Sequence, residues 1–199
     1  MKDPAVDNAE ENKLIGACLA GDLRAFEKLV ARHQRGLYNI ALRISGSEED
    51  AADIVQETFL SAWRKRSDFR GEAKFSTWLT SIAINQAREL WRRDARKRAR
   101  EQSLDRQDET CGGVPPQMAS EQPSALELLE ELQLRELLDR CIQALDRGFR
   151  EVLILRDMRD MAYEEVGKIL GLREGTVKSR LLRAREAGRE CVNRGLGKQ

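Results

Sequence analysis

Residues 163–185 read YEEVGKILGLREGTVKSRLLRAR, and this stretch decides the fold. Val166, Ile169 and Leu170 recur at helical spacing, so residues before Gly171 predict a short helix with one apolar face. Gly171 supplies the positive φ of a tight turn, and Leu172 can fill the gap behind it. A second helix is expected from about Glu174, with Val177, Leu181 and Ala184 turned inward. Its opposite face carries Ser179, Leu182 and Arg183, flanked by Lys178 and Arg180. Two short helices about a glycine turn form a helix-turn-helix, whose second helix enters a DNA groove. An ordinary helical hairpin with a basic solvated face has the same local pattern, so the remaining sequence must discriminate.

Outward from this stretch, composition favours compact helical domains: 35% of the 199 residues are charged and only 5% aromatic. Long alternating β-branched runs are absent. A formal net charge of +1 argues weakly against a polyanionic partner, but local clustering sets the field near a surface. Arg88, Arg92, Arg93, Arg96, Lys97, Arg98 and Arg100 are opposed only by Glu89 and Asp94, whereas Glu121 to Glu136 is mainly acidic. Cys18, Cys111, Cys141 and Cys191 lack paired metal spacing, and His33 is the sole histidine. Neither a zinc site nor a disulfide framework is expected, and no cofactor. Cys18 and Cys141 fall at apolar helical positions and are expected in the core, while Cys111 falls in a loop. Without a long apolar run or a signal-peptide pattern, the chain is expected to be cytoplasmic, with no direct membrane insertion.

Apolar periodicity stops over residues 99–124, where Gly112, Gly113, Pro115, Pro116 and Pro123 occur instead. That composition predicts a flexible linker between an N-terminal domain, 10–98, and a C-terminal domain, 125–195, both all-α. In the first, Leu14, Ile15, Cys18 and Leu19 make a short amphipathic helix ended by Gly21. Asp22 caps a longer helix with Phe26, Leu29, Val30, Leu37, Ile40, Ala41 and Ile44 inward, ended by Ser45 and Gly46. Ser47 caps a helix reaching about Arg66, with Ala52, Val55, Phe59, Ala62 and Trp63 as its buried stripe. After a loop, Ser67 to Lys74, a helix from about Ser76 is expected to bury Leu79, Ile82, Ala83 and Leu90. The second domain opens with a leucine-rich helix (Leu126, Leu129, Leu132, Leu137, Leu138) and continues with Phe149, Val152, Leu153 and Leu155 in another.

Two faces carry chemistry. Asp53, Gln56, Glu57, Leu60 and Arg64 cluster away from the proposed stripe of their helix, and an exposed leucine among acids suits a protein-docking surface. A plain solvated acidic face is the bland alternative. Phe69, Arg70, Lys74, Phe75 and Trp78 then precede Asn85 and the basic run from Arg88. Rings beside cations suit unpaired nucleic acid, with bases stacked or pocketed and phosphates neutralised, although Phe75 and Trp78 taken singly favour core packing.

The order of these elements resembles the extracytoplasmic-function sigma factors of bacteria. The resemblance is carried by the acidic helix, Phe69-Arg70-Gly71-Glu72, Trp78-Leu79 before Ile82-Ala83-Ile84-Asn85, and Trp91-Arg92-Arg93. Beyond the linker it continues with Gly175-Thr176-Val177-Lys178-Ser179-Arg180 and Arg183-Ala184-Arg185-Glu186. It implies that Asp53, Gln56, Glu57 and Leu60 dock on core RNA polymerase. It implies that the loop with Phe69, Arg70 and Lys74 captures a flipped base of the −10 promoter element, which Asn85, Arg88, Arg92 and Arg93 also meet. It implies that Lys178, Ser179, Leu182 and Arg183 face the −35 element, with Arg173 and Thr176 on phosphate. An anti-sigma partner and the absence of catalytic activity are further implications. The chain departs from the family pattern at Glu89, where Asp is common, at Leu145-Asp146 in place of Leu-Pro, at Asp160 in place of Gly, and at Gly167 in place of Ala. Helix propensity alone makes Gly167 about 1 kcal/mol worse than Ala. Two rival functions fit parts of the pattern: an operator-binding regulator using the same helix-turn-helix, and a sigma-like protein that only sequesters an anti-sigma factor.

Overall fold

A computed structural model describes residues 4–101 and 125–197, so most of the expected linker lies outside the described residues. Every regular element within the described residues is helical, and the chain divides into two compact units, Met1–Asp105 and Arg106–Gln199.

The first unit holds α1 (Pro4–Leu19), α2 (Leu23–Ser45), α3 (Glu48–Arg64) and α4 (Phe75–Glu101), with a single 3-10 turn at Arg66–Asp68. α1 is longer than the one or two turns expected: its polar first half offers no apolar stripe to read, yet the backbone continues as helix. Asp22 caps α2 as expected, its carboxylate accepting from the Arg24 and Ala25 amides at 2.8 and 3.3 Å. Gly46 ends that helix in the left-handed region, donating to the Leu42 carbonyl. Helices α2, α3 and α4 pack on one another, and α1 lies against α2. Leu29, Ala41, Ile44, Ala51, Ile54, Leu79, Ala83 and Ile84 fill the middle.

The buried stripe of α3 differs from the expected one. Ala51, Ile54, Thr58, Phe59 and Ala62 are buried, Ala52 is exposed, and Val55 and Trp63 are half-buried. The helix is turned by more than half a residue step relative to the sequence reading, because Thr58 belongs to the core. Its hydroxyl is satisfied locally, donating to the Ile54 carbonyl at 2.6 Å, so a polar residue enters the interior at little cost. On α4 the fully buried apolar set is Phe75, Leu79, Ala83, Ile84 and Ala87, while Ile82 and Leu90 are only half-buried. Thr80, buried with its hydroxyl on the Ser76 carbonyl at 2.7 Å, again shifts the stripe.

The second unit holds α5 (Ala125–Gln143), α6 (Arg147–Leu153), a π turn at Ile154–Met158, α7 (Tyr163–Leu170) and α8 (Glu174–Gly195). The π turn interrupts the helix expected to run through Leu155, and the Arg159 amide reaches back to the Ile154 carbonyl at 3.2 Å. Val152, Ile154, Leu155, Val166, Val177, Leu181 and Ala184 form the core. The cysteine reading needs correction: Cys141 and Cys191 form a disulfide, with Cα atoms 5.6 Å apart, so Cys141 is buried as expected but paired. The sequence offered no spacing rule for a bond between residues 50 apart. Cys18 is free and buried, and burial pushes its thiol above the ordinary range, partly offset by the nearby Arg66 charge. Cys111 lies outside the described residues.

Candidate nucleic-acid interface

The outward face of α3 is as the sequence suggested. Asp53, Gln56, Glu57 and Arg64 are exposed, and Leu60 holds 42% of its surface in water among them. A leucine kept exposed beside two carboxylates and an amide offers an apolar point inside an acidic rim.

Beyond α3, Phe69 stands on the loop that leads into α4. Its ring centroid is 5.4 Å from that of Phe75, edge to face, and 5.3 Å from that of Trp78. Phe75 is buried and also neighbours His33 at 5.5 Å, whereas Phe69 and Trp78 are half-buried. The cluster therefore anchors the loop through Phe75 and leaves edges of Phe69 and Trp78 at the surface. Arg70 and Lys74 are fully on the exposed side. Along α4, positions 85, 88, 89, 92 and 96 fall on the side away from the buried set at 100° per residue, and 93 lies at the edge of that face. Asn85, Arg92 and Arg93 are exposed and Arg88 is half-buried. Glu89 sits among them, meeting Arg92 at 2.9 Å, Arg93 at 3.7 Å and Arg96 at 4.0 Å. It splays three guanidinium groups around one carboxylate, a hub not evident from the charge count. The side chains of Lys97, Arg98 and Arg100 lie outside the described residues.

In the helix-turn-helix, Gly171 has φ of 68° and donates to the Gly167 carbonyl, which also accepts from Leu172 at 2.9 Å. The Glu165 carboxylate accepts from the Ala162 amide at 2.9 Å and steadies the first turn of α7. Val177, Leu181 and Ala184 are buried as expected. Lys178, Ser179, Leu182, Arg183 and Arg173 are exposed, and Thr176 is half-buried. Leu182 keeps 59% of its surface in water, the most of any large apolar side chain among the described residues. Lys178 bonds Glu174 at 2.6 Å and stands 5.3 Å from the Tyr163 ring centre. The Glu174 bond holds its ammonium above the ordinary lysine range. Ser179 donates back to the Thr176 carbonyl at 3.0 Å.

Two positioning contacts escaped the sequence reading. Arg185 grips Asp157 with both ends of its guanidinium, at 2.8 and 2.6 Å, tying α8 to the π turn and raising the arginine further. Arg156 bonds Asp160 at 2.7 Å and lies 5.1 Å from the Tyr163 ring. The Arg156–Asp160 pair is local, four residues apart, whereas the Asp157–Arg185 pair spans 28 residues.

Residues 29–97 match the family model for Sigma-70 region 2, and residues 135–187 match that for Sigma-70, region 4. The ECF RNA polymerase sigma-E factor of Escherichia coli strain K12 is 35% identical over 169 residues, 84% of this chain and 86% of the relative. The chain belongs to the extracytoplasmic-function sigma factors. It is thus an alternative sigma factor that works with RNA polymerase in transcription initiation. The RNA polymerase sigma-H factor of Pseudomonas aeruginosa is 31% identical over 89% of the chain and 91% of its own length. Among solved structures, CnrH in complex with the cytosolic domain of CnrY matches with a TM-score of 0.62 at 28% identity, over 92% of this chain and 97% of that one. The RpoE sigma factor of Bartonella quintana, bound to NepR, shares the fold with a TM-score of 0.68 at 23% identity, over 86% and 98% of the two chains. One chain thus carries both regions, with the acidic α3 face in the first and the helix-turn-helix in the second. Sigma factors are not an enzyme class, and no described helix is long and apolar enough to cross a membrane.

Proposed function

We propose that the two units divide promoter recognition between unpaired and duplex DNA, using an N-terminal domain of residues 10–98, a linker of 99–124 and a C-terminal domain of 125–195. Asp53, Gln56, Glu57 and Leu60 dock on core RNA polymerase through the outward face of α3. Phe69, Arg70 and Lys74 hold a base extruded from the −10 element, while Asn85, Arg88, Arg92 and Arg93 track the same strand. Extrusion costs a few kcal/mol per base, so a site that binds the extruded base shifts the balance toward the open promoter. Lys178, Ser179, Leu182 and Arg183 read the −35 duplex, with Arg173 and Thr176 at the start of α8 on phosphate.

The observation that carries this reading is the pairing of opposed faces on α4 and α8. Each helix buries one stripe completely and leaves its basic or mixed polar stripe in water, as a groove or a strand requires. In this reading the chain has no catalytic activity of its own and acts in the cytoplasm, where polymerase is. An anti-sigma partner covers one or both units when the factor is held inactive, a reading supported by the solved complex of the related CnrH with CnrY.

Run-off transcription with purified core polymerase and a genomic fragment library tests the whole. The wild-type chain is expected to direct initiation at a small set of promoters, and Asp53→Lys with Glu57→Lys to abolish it by loss of core binding. Holoenzyme that assembles but starts no transcript favours the sequestration reading. Wild-type activity in the double variant removes α3 from the docking role.

A further inference from the structure

We propose that Cys141 and Cys191 form a reversible redox modification site that locks α5 onto α8. α5 leaves most of its described surface exposed. Of its described side chains from 131 to 140, only Leu137 and Asp139 are half-buried and the others are exposed. Leu132, Leu134 and Leu138 keep 38%, 43% and 42% of their surface in water. α5 meets α8 along a narrow antiparallel seam in which Leu137 opposes Gly195 and, one turn on, Cys141 opposes Cys191. Leu137 sits so close that a Cβ on Gly195 would run into it. At the end of the helix Arg150 bonds the Gln143 side chain at 2.7 Å and the Leu145 carbonyl at 3.0 Å. The covalent bond, which spans 50 residues, adds a tie between α5 and α8 that these local contacts do not supply.

The redox sensitivity follows from where such a protein works, and in that respect it rests on the sigma-factor reading. A partner of RNA polymerase meets glutathione and thioredoxin-type reductants, and a disulfide there opens and closes rather than standing permanently. The two sulfurs are unequal: Cys141 is 2% exposed, whereas Cys191 is half-buried on the outer side of the seam. Cys191 is thus the sulfur a small oxidant reaches. Its thiolate attacks one sulfur of a glutathione-type disulfide, that S–S bond breaks, and one glutathione thiolate leaves. Cys141, as thiolate, then attacks the Cys191 sulfur of the mixed disulfide and displaces the second glutathione. Two cysteine thiols are oxidised, one glutathione disulfide is reduced to two thiols, and the two protons released by the cysteines end on them. A dithiol reductant reverses the sequence.

The full-length chain is equilibrated in reduced and oxidised glutathione buffers, acid-quenched, alkylated and mapped by peptide mass, with limited proteolysis in parallel. The oxidised chain is expected to give one cross-linked peptide pair, Cys141 with Cys191, and cleavage within residues 131–143 is expected to slow by about tenfold or more. Cys191→Ser is expected to be cleaved at the reduced wild-type rate in both buffers, whereas Cys18→Ala and Cys111→Ser keep the response. A cross-link that uses Cys18 or Cys111 instead, or a Cys141–Cys191 bond that leaves cleavage unchanged, overturns the proposal. The comparison of reduced with oxidised wild-type chain needs no variant that might misfold. None of these readouts involves polymerase or promoter, so their failure is separate from failure of the run-off assay.

Discussion

A Cβ on Gly167 would stand 2.7 Å from the backbone carbonyl oxygen of Leu172, closer than real side chains approach such an atom. Propensity alone says alanine should strengthen α7 by about 1 kcal/mol there. The turn says otherwise, because the obstructing atom is backbone and belongs to the segment that Gly171 folds back. Gly167→Ala is expected to lower stability by about 1–3 kcal/mol in urea unfolding, the usual range for overpacking; a stabilised variant would show that the turn yields freely. Asp160 is the other telling position. It is the one non-glycine residue with positive φ, 50°, among the described residues, where the family commonly has glycine. Asp160→Gly relieves a left-handed cost of about 1–2 kcal/mol and gives up only a solvent-screened surface ion pair with Arg156. Asp160→Ala loses the pair and keeps the cost. Thermal melts are therefore expected to rank glycine at or above wild type and alanine below both.

At the scale of the element, a helix face is a sum over residues, and one satisfied hydroxyl can turn it. Thr58 and Thr80 are completely buried with their protons on the preceding turn, so the cores of α3 and α4 centre on residues that a purely apolar count passes over. The rotation has measurable consequences for α3. Ile54→Ala is expected to cost about 2–5 kcal/mol, whereas Ala52→Ser, at an exposed position, is expected to stay within about 0.5 kcal/mol of wild type. Equal losses at the two sites would restore the stripe expected from the apolar periodicity. The outward placement of Asp53, Gln56, Glu57 and Leu60 survives this error, because they lie far enough round the helix to be exposed in either register. On α8 no such competition arises, since Val177, Leu181 and Ala184 fall on one face, Cys191 and Val192 continue it toward the end of the helix, and Leu182 is left over on the other.

For the whole molecule, a formal net charge of +1 conceals surfaces of opposite sign. The acidic face of α3 and the arginine face of α4 belong to one unit, and neither shows in the total. Glu89 draws Arg92, Arg93 and Arg96 toward one carboxylate and neutralises part of their charge. Glu89→Gln is expected to tighten binding of a single-stranded −10 fragment several-fold at low ionic strength, through fuller phosphate neutralisation. The gain should vanish near 1 M salt, where the screening length falls to about 3 Å. A gain that persists at high salt would point to a base contact by the new amide instead.

Residue spacing alone set the helical class, the ends of α2, the start of α8, the helix-turn-helix with its two faces, and the acidic and basic surfaces. Each of these is written in residues within a turn or two of one another, where spacing translates directly into direction. Tertiary structure decided the rest: the Asp157–Arg185 grip across 28 residues, the Cys141–Cys191 bond across 50, and the clearance at Gly167. It also set the register of α3 and α4, which depends on the helices they face. Such pairings follow from how helices cross and which carbonyl a turn brings near, and the periodicity of a single helix holds no record of its neighbours.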